Sequence, residues 1–130
     1  MKPIDHYLEI IEWHMINQKV NGKSLCSACG EEIKARPDLA HVKSRTEDNL
    51  QKWPLFTDSI INTSAQHRGC NVNRYLAWGK EPPSDLLCEK AEKYLRDNPK
   101  ICEYVNGPGN HEFSLDDIWD EIKAGFNDEN

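Results

Sequence analysis

The sequence predicts a mixed α+β fold, and three observations predict it. Apolar residues recur at helical spacing towards both ends, over 4–18 and from 115 onward. Two short β-leaning runs, Leu39-Ala40-His41-Val42 and Ser59-Ile60-Ile61-Asn62-Thr63, lie between them. Two half-sites, Cys26-Ser27-Ala28-Cys29 and His67-Arg68-Gly69-Cys70, bracket those runs, and each offers two metal-type donors from a single turn.

The elements follow in order. Ile4, Leu8, Ile11 and Met15 form the stripe of a first helix over 4–18, which Pro3 suits as a start and Asn21-Gly22 ends. Residues 39–45 and 58–64 are the strands of a hairpin whose loose connection contains Trp53-Pro54. From His67 to Trp78 the spacing turns helical (Cys70, Arg74, Leu76, Ala77), with Gly79 as C-cap. Glu81-Pro82-Pro83 breaks the chain, Ser84 caps a helix running to about Arg96, and Asn98-Pro99 stops it. After a loop at Gly107-Pro108-Gly109, Ser114 with Asp117 opens a last helix bearing Leu115, Ile118, Trp119 and Ile122. The expected organisation is one domain over 1–130: an N-terminal helix (1–22), a core (23–80) and an acidic helical extension (81–130).

A chain of 130 residues suffices for one compact domain. No apolar run approaches the roughly 18 residues of a spanning helix, and the N-terminus turns acidic and amphipathic at once, unlike a secretory signal. A cytoplasmic protein with no membrane partner is therefore expected. The net charge of −6 is unevenly spread: residues 20–80 carry +3, residues 81–130 carry −8 and residues 1–19 carry −1. Attraction to phosphate is thus local to the middle of the chain, while the acidic third reads as solvated helix faces.

Five cysteines is an odd number, and three of them fall in the half-sites, which favours metal ligation over a disulfide framework. Thiolates and imidazole are ligands that zinc prefers, and four of them leave no open position. Cys26, Cys29, His67 and Cys70 are accordingly assigned to a structural zinc, with Cys88 or another histidine as the alternative to His67. Cys88 and Cys102 otherwise read as small apolar residues on helices, and His6, His14 and His111 as surface or capping residues. The four tryptophans are expected to serve core and interface packing rather than base stacking; Trp53 in the loop and Trp78 after the helix are the two candidates for the latter.

The run Cys26-x2-Cys29, Ala40-His41-Val42-Lys43-Ser44-Arg45, Asn62 and His67-x2-Cys70-Asn71 resembles the HNH nuclease family, also called ββα-metal or His-Me finger. Within it, the pattern is similar to zinc-stapled phage enzymes of the recombination endonuclease VII kind and to NinG-like recombination proteins. The resemblance covers about residues 24–79 and implies a zinc-stapled ββα hairpin with flanking N- and C-terminal helices. It also implies three roles: His41 as general base, Asn71 as ligand of a catalytic Mg2+ or Mn2+, and Asn62 as the asparagine that positions the hairpin. Many family members place an aspartate before the histidine as a second metal ligand; here Ala40 stands there, with Asp38 or Asp58 as candidates instead. NinG-like sequences also carry a small residue at that position.

The chemistry has its own logic. Phosphodiester hydrolysis needs a water activated near neutral pH, where histidine titrates, and a cation on the scissile phosphate. Lys43 and Arg45, alternating with His41, are candidates to hold phosphate, as are Arg68 and Arg74 on the following helix. Together with this chemistry, the resemblance implies metal-dependent hydrolysis of DNA in phage or prophage DNA processing, in the cytoplasm of a bacterial or phage-infected cell, as the expected function. DNA is the expected partner; because endonuclease VII-like enzymes act as dimers, a homodimer through Leu86, Leu87, Tyr94 and Leu95 is a second candidate. The alternative is a catalytically inactive zinc module that binds nucleic acid or protein.

Overall fold

The computed structural model describes residues 4–108 and 114–128, which leaves Gly109 and His111 outside the described residues. The first element is a helix, α1 (Ile4–Asn17). Its buried face is not the expected stripe. Leu8 is exposed, whereas Ile10 and His14, one turn apart, are buried. Leu8, Ile11 and Met15 do share one stripe, but Tyr7, Ile10, Trp13 and Ile16 carry apolar surface around the rest of the helix, so spacing alone does not choose a face. His14, expected at the surface, is the correction with most consequence: its Nε2 lies 2.8 Å from Thr63 Oγ1. Thr63 spends its own hydroxyl proton on the Ser59 carbonyl (2.8 Å), so the histidine nitrogen must be the donor. Asn21-Gly22 does more than end the helix. Both residues are left-handed (φ 53° and 79°) and join strands β1 (Lys19–Val20) and β2 (Lys23–Ser24), in the manner of a two-residue hairpin turn.

The second sheet pairs β3 (Asp38–His41) with β4 (Thr63–Gln66) antiparallel, in the register Asp38 to Gln66 and His41 to Thr63. Both strands are shorter than expected, and the second is displaced towards the C-terminus, because Ile60–Asn62 forms a 3-10 turn. The connection is ordered, not loose. It carries a short helix, α2 (Glu47–Lys52), whose cap Thr46 accepts the Asn49 amide at 3.0 Å. From Phe56 to Gln66 every residue is buried, although most are polar. Each hydroxyl finds an acceptor or partner: Thr57 donates to the Trp53 carbonyl (2.7 Å), Ser59 to Phe56 (2.7 Å), and Ser64 pairs with Ser27 (2.8 Å). Gln18 completes the outer edge of β4, donating to the Ala65 carbonyl (3.0 Å) and accepting its amide (2.9 Å) as another strand would.

The helix after β4, α3 (Arg68–Val72), ends well before Trp78, since Arg74 turns left-handed at φ 58°. A 3-10 turn at Ala77–Gly79 follows, with Gly79 left-handed (φ 68°). Ser84 caps α4 (Asp85–Asp97) by accepting the Leu87 amide at 3.1 Å. Pro99 stops that helix and also starts another, α5 (Pro99–Asn106), because a proline at the first helical position loses no internal hydrogen bond. Ser114 accepts the Asp117 amide (3.3 Å) at the start of α6 (Leu115–Asp128). No helix among the described residues is long and apolar enough to cross a membrane.

One apolar cluster joins Ile10 of α1, Trp53, Phe56, Ile60 and Ile61 of the connection, and Cys88, Leu95, Tyr104, Ile118 and Ile122 of the last three helices. Leu95 is buried there, Leu87 and Tyr94 pack against it, and only Leu86 of that face stays exposed. Trp53 is therefore core and has no face for a ligand. The acidic third is not wholly solvated. Glu92 is buried, and its carboxylate accepts the Leu55 amide (3.0 and 3.1 Å) and the Phe56 amide (2.9 Å), pinning the connection to α4. Burial pushes this carboxyl up, against the pull of those two amides and of Arg96.

Two outcomes follow from these buried groups. Glu92→Ala, measured by chemical denaturation, is expected to cost about 2–4 kcal/mol because two buried amides lose their acceptor, with Glu92→Gln costing less. Burial also holds His14 down at about 3, against 6.5 for an ordinary histidine. The unfolded chain then takes up a proton that the folded one refuses, so stability falls as pH drops from 6.5 towards 3. His14→Gln is expected to flatten that slope, read as the denaturation midpoint at a series of pH values.

Candidate metal centre and histidine groove

The Cys26 to Cys29 segment is a tight turn closed by Gly30, left-handed at φ 78°, whose amide donates to the Cys26 carbonyl at 3.0 Å. His67 sits at the N-cap of α3 and Cys70 in its first turn. The pairing of β4 with β3 and with Gln18 brings this second half-site back over the first. One donor atom from each of Cys26, Cys29, His67 and Cys70 then lies within 4.8 Å of all the others. Nδ1 of His67 faces the sulfurs, 3.3 Å from Cys29 and 4.0 Å from Cys70. Its Nε2 lies 2.9 Å from the Glu32 carbonyl, which can only accept, so the ring proton sits on Nε2 and the lone pair on Nδ1 points at the cluster.

The electrostatics suit a cation. Burial raises the Cys26 thiol, but amides of Cys29, His67 and Ala28 outweigh it and bring the group down to about 7. Cys70 is pushed up to about 11 by burial and by Cys26 and Cys29 beside it. A single dication relieves that crowding of sulfur, and three thiolates with one oriented imidazole fit zinc. His67 is the fourth donor; Cys88, the alternative, is buried in the apolar cluster of the helices.

His41 closes β3, and its Nε2 lies 2.8 Å from Oδ1 of Asp58, a fully buried carboxylate. The same oxygen accepts Nε of Arg45 at 2.9 Å, and Oδ2 accepts the Tyr7 hydroxyl at 3.3 Å. Burial would raise Asp58, yet the bonds from His41 and Arg45 dominate and hold it at about 2. An ionised carboxylate only accepts, so His41 carries its proton on Nε2 and keeps Nδ1 as the basic nitrogen. Asp58 is thus unavailable as a metal ligand; its oxygens are spent on His41, Arg45 and Tyr7.

Asn62 is buried and clamps the strand end reciprocally. Its Oδ1 accepts the Lys43 amide (2.8 Å), and its Nδ2 donates to the carbonyls of Lys43 (3.1 Å) and Thr57 (2.8 Å). Asn71, on α3, donates from Nδ2 to Oδ2 of Asp38 at 3.1 Å, which puts Asp38 beside it. Ala40 is buried and brings no donor. His41 and Asn71 line one open groove of about 410 Å³, together with Arg45, Gln66, Arg74 and Tyr75. Lys43 is turned away from it, its ammonium 2.7 Å from Asp85 and 3.1 Å from the Pro83 carbonyl. Arg68 is exposed on α3.

The sequence offers Asp58 only as a candidate metal ligand and does not point to Tyr7; their bonds to His41 and to each other are what it does not reveal. Asp58 and Tyr7 lie 17 and 51 positions from their contacts at His41 and Asp58, and no local spacing connects them. The metal centre generates a direct test. Purified protein is expected to hold about one zinc per chain by elemental analysis; Cys29→Ser is expected to lose most of it and unfold several degrees lower. No family model matches the chain, nor does any curated protein or solved structure.

Proposed function

We propose that this chain is a metal-dependent DNA endonuclease of the zinc-stapled HNH kind. The observation that carries the reading is His41 backed by buried Asp58, in one groove with Asn71, on a hairpin that runs through a Cys3His cluster into a helix. In hydrolysis, Nδ1 of His41 takes the proton of the attacking water. A bond forms from that oxygen to phosphorus as the bond to the leaving sugar oxygen breaks, and the departing oxygen takes a proton from solvent water. Asp58 stays ionised and stabilises the imidazolium that results. Asn62 fixes the strand end from which His41 projects, and Arg45 and Arg74 on the groove attract the backbone phosphates.

Asp38 and Asn71 lie side by side, and with the Asn71 amide turned to present Oδ1 in place of Nδ2 they would offer a hard oxygen pair suited to Mg2+ or Mn2+. When bound there, such an ion supplies positive charge to the scissile phosphate. With Asp38 beside Asn71, the missing aspartate at Ala40 has a substitute from the same strand. The zinc keeps a separate, structural role.

A second reading, a zinc module that binds without cutting, draws on Ala40 and on the −8 charge of residues 81–130. The two separate on cleavage of supercoiled plasmid by zinc-loaded protein. The nuclease is expected to nick only with added Mg2+ or Mn2+. His41→Ala is expected to lower the rate by about 10²–10⁴-fold while retaining zinc, and Asp58→Asn by about 10–100-fold. A folded, zinc-bound protein that cuts nothing with either ion is the binding module.

A further inference from the structure

Beyond His41, the groove has a second wall with chemistry that hydrolysis does not use. Gln66, on β4, is 2 % exposed, and its Oε1 has no hydrogen-bond partner, although its Nε2 is held at 3.3 Å by the Tyr75 carbonyl. A buried amide oxygen left without a donor is costly. Gln66 lines the same groove as His41 and Asn71, so a bound molecule can supply that donor. Next to it, Tyr75 is 58 % exposed and also lines the groove. Trp78, three residues on, is 57 % exposed.

Tyr75 lies on the groove and Trp78 just beyond its lining; neither ring is core, so packing does not explain their exposure. The backbone that presents them is strained. Arg74 (φ 58°) and Trp78 (φ 52°) both occupy the left-handed region that non-glycine residues avoid. That geometry is enforced from the metal turn: the Trp78 amide donates to the Ser27 carbonyl at 2.6 Å and the Tyr75 amide to Cys70 at 3.1 Å. The surrounding charge is basic. Between residues 68 and 82, Arg68, Arg74 and Lys80 face only Glu81 in the count, and none of the three cations forms an ion pair among the described residues.

From these residues we infer that Gln66 and Tyr75 on the groove, with exposed Trp78 three residues beyond, form a subsite for an unpaired DNA base beside the cleaved phosphate. This rests on the nuclease reading of the groove and adds a preference for substrate with unstacked nucleotides. A base in a duplex hides its ring faces in the stack; an unpaired one exposes them to an aromatic side chain. Tyr75 and Trp78 provide the stacking surfaces, and Gln66 Oε1 accepts an N–H from the base edge. Arg74 and Lys80 neutralise the phosphates on either side.

The test compares binding of the full-length, zinc-loaded protein to two fluorescent DNAs by anisotropy, with no Mg2+ or Mn2+ added. One is a fully paired duplex and the other the same duplex with a short central gap of unpaired thymidines. The gapped DNA is expected to bind about tenfold more tightly and to quench tryptophan fluorescence. Tyr75→Ala and Trp78→Ala are each expected to remove most of that preference while zinc content stays at one per chain. Gln66→Met, which keeps the volume and removes the acceptor, is expected to weaken it by a smaller factor.

Equal affinity for the two DNAs, or a preference that survives both aromatic variants, overturns the inference. So does conversion of a dimer to a monomer by those variants with the preference untouched, since the two aromatics then form a contact between copies of this chain. Because no cleavage is needed, the subsite and the nuclease reading fail separately. Gap preference without metal-dependent cutting leaves the subsite and removes the nuclease; cutting without gap preference does the reverse.

Discussion

The burial of a polar run, Phe56 to Gln66, is the constraint on which the rest of the structure depends. A segment of Thr, Asp, Ser, Asn and Gln leaves water only if nearly all its polar groups find partners, because every orphan costs about 1–3 kcal/mol, and Gln66 Oε1 is the exception here. The partners come from all over the chain. His14 and Gln18 come from the N-terminal region, Ser27 from the metal turn, His41 and Lys43 from the hairpin, and Glu92, which accepts the Phe56 amide, from α4. Satisfying this run is therefore the same act as assembling the fold. It also explains why a chain of negative mean hydropathy packs well: much of its interior is matched hydrogen bonds, with the apolar cluster on one side of the run.

The candidate site inherits its order from that network. Asp58 lies in the middle of the buried run and Asn62 near its end, so the residue that fixes the His41 tautomer and the one that clamps its strand are locked by the same packing. Tyr7 extends the network to α1, and Arg45 brings a cation against the only carboxylate there. The metal cluster adds a second restraint at the far end of β4, where His67 and Cys70 tie the start of α3, and with it Asn71, to the Cys26–Cys29 turn. Preorganisation of this kind costs nothing at the moment of reaction, which is what the proposed hydrolysis would require of it.

What was legible in the sequence was short-range. The two half-sites could be paired because both donors of each sit within one turn, and the caps at Ser84 and Ser114 could be placed because a cap acts on an amide three residues on. The α1 face, the β1–β2 hairpin, α2 and α5 were not legible. A helix with apolar residues on several sides has no unique buried stripe, and a six-residue helix such as α2 owes its existence to what it packs on.

The sequence by itself determined the mixed fold class, the Cys26, Cys29, His67 and Cys70 donor set, the caps at Ser84 and Ser114 and the presence of His41 between the half-sites. Each is a matter of residue type and local spacing. Only the tertiary structure decided that Asp58 stands behind His41, that Asp38 meets Asn71, that Lys43 is spent on Asp85, and that Gln66 reaches the groove with an oxygen unpaired. Those outcomes depend on which buried polar group finds which partner across tens of residues. A hydrogen bond is decided by a few tenths of an ångström in the packed interior, and no periodicity along the chain encodes that.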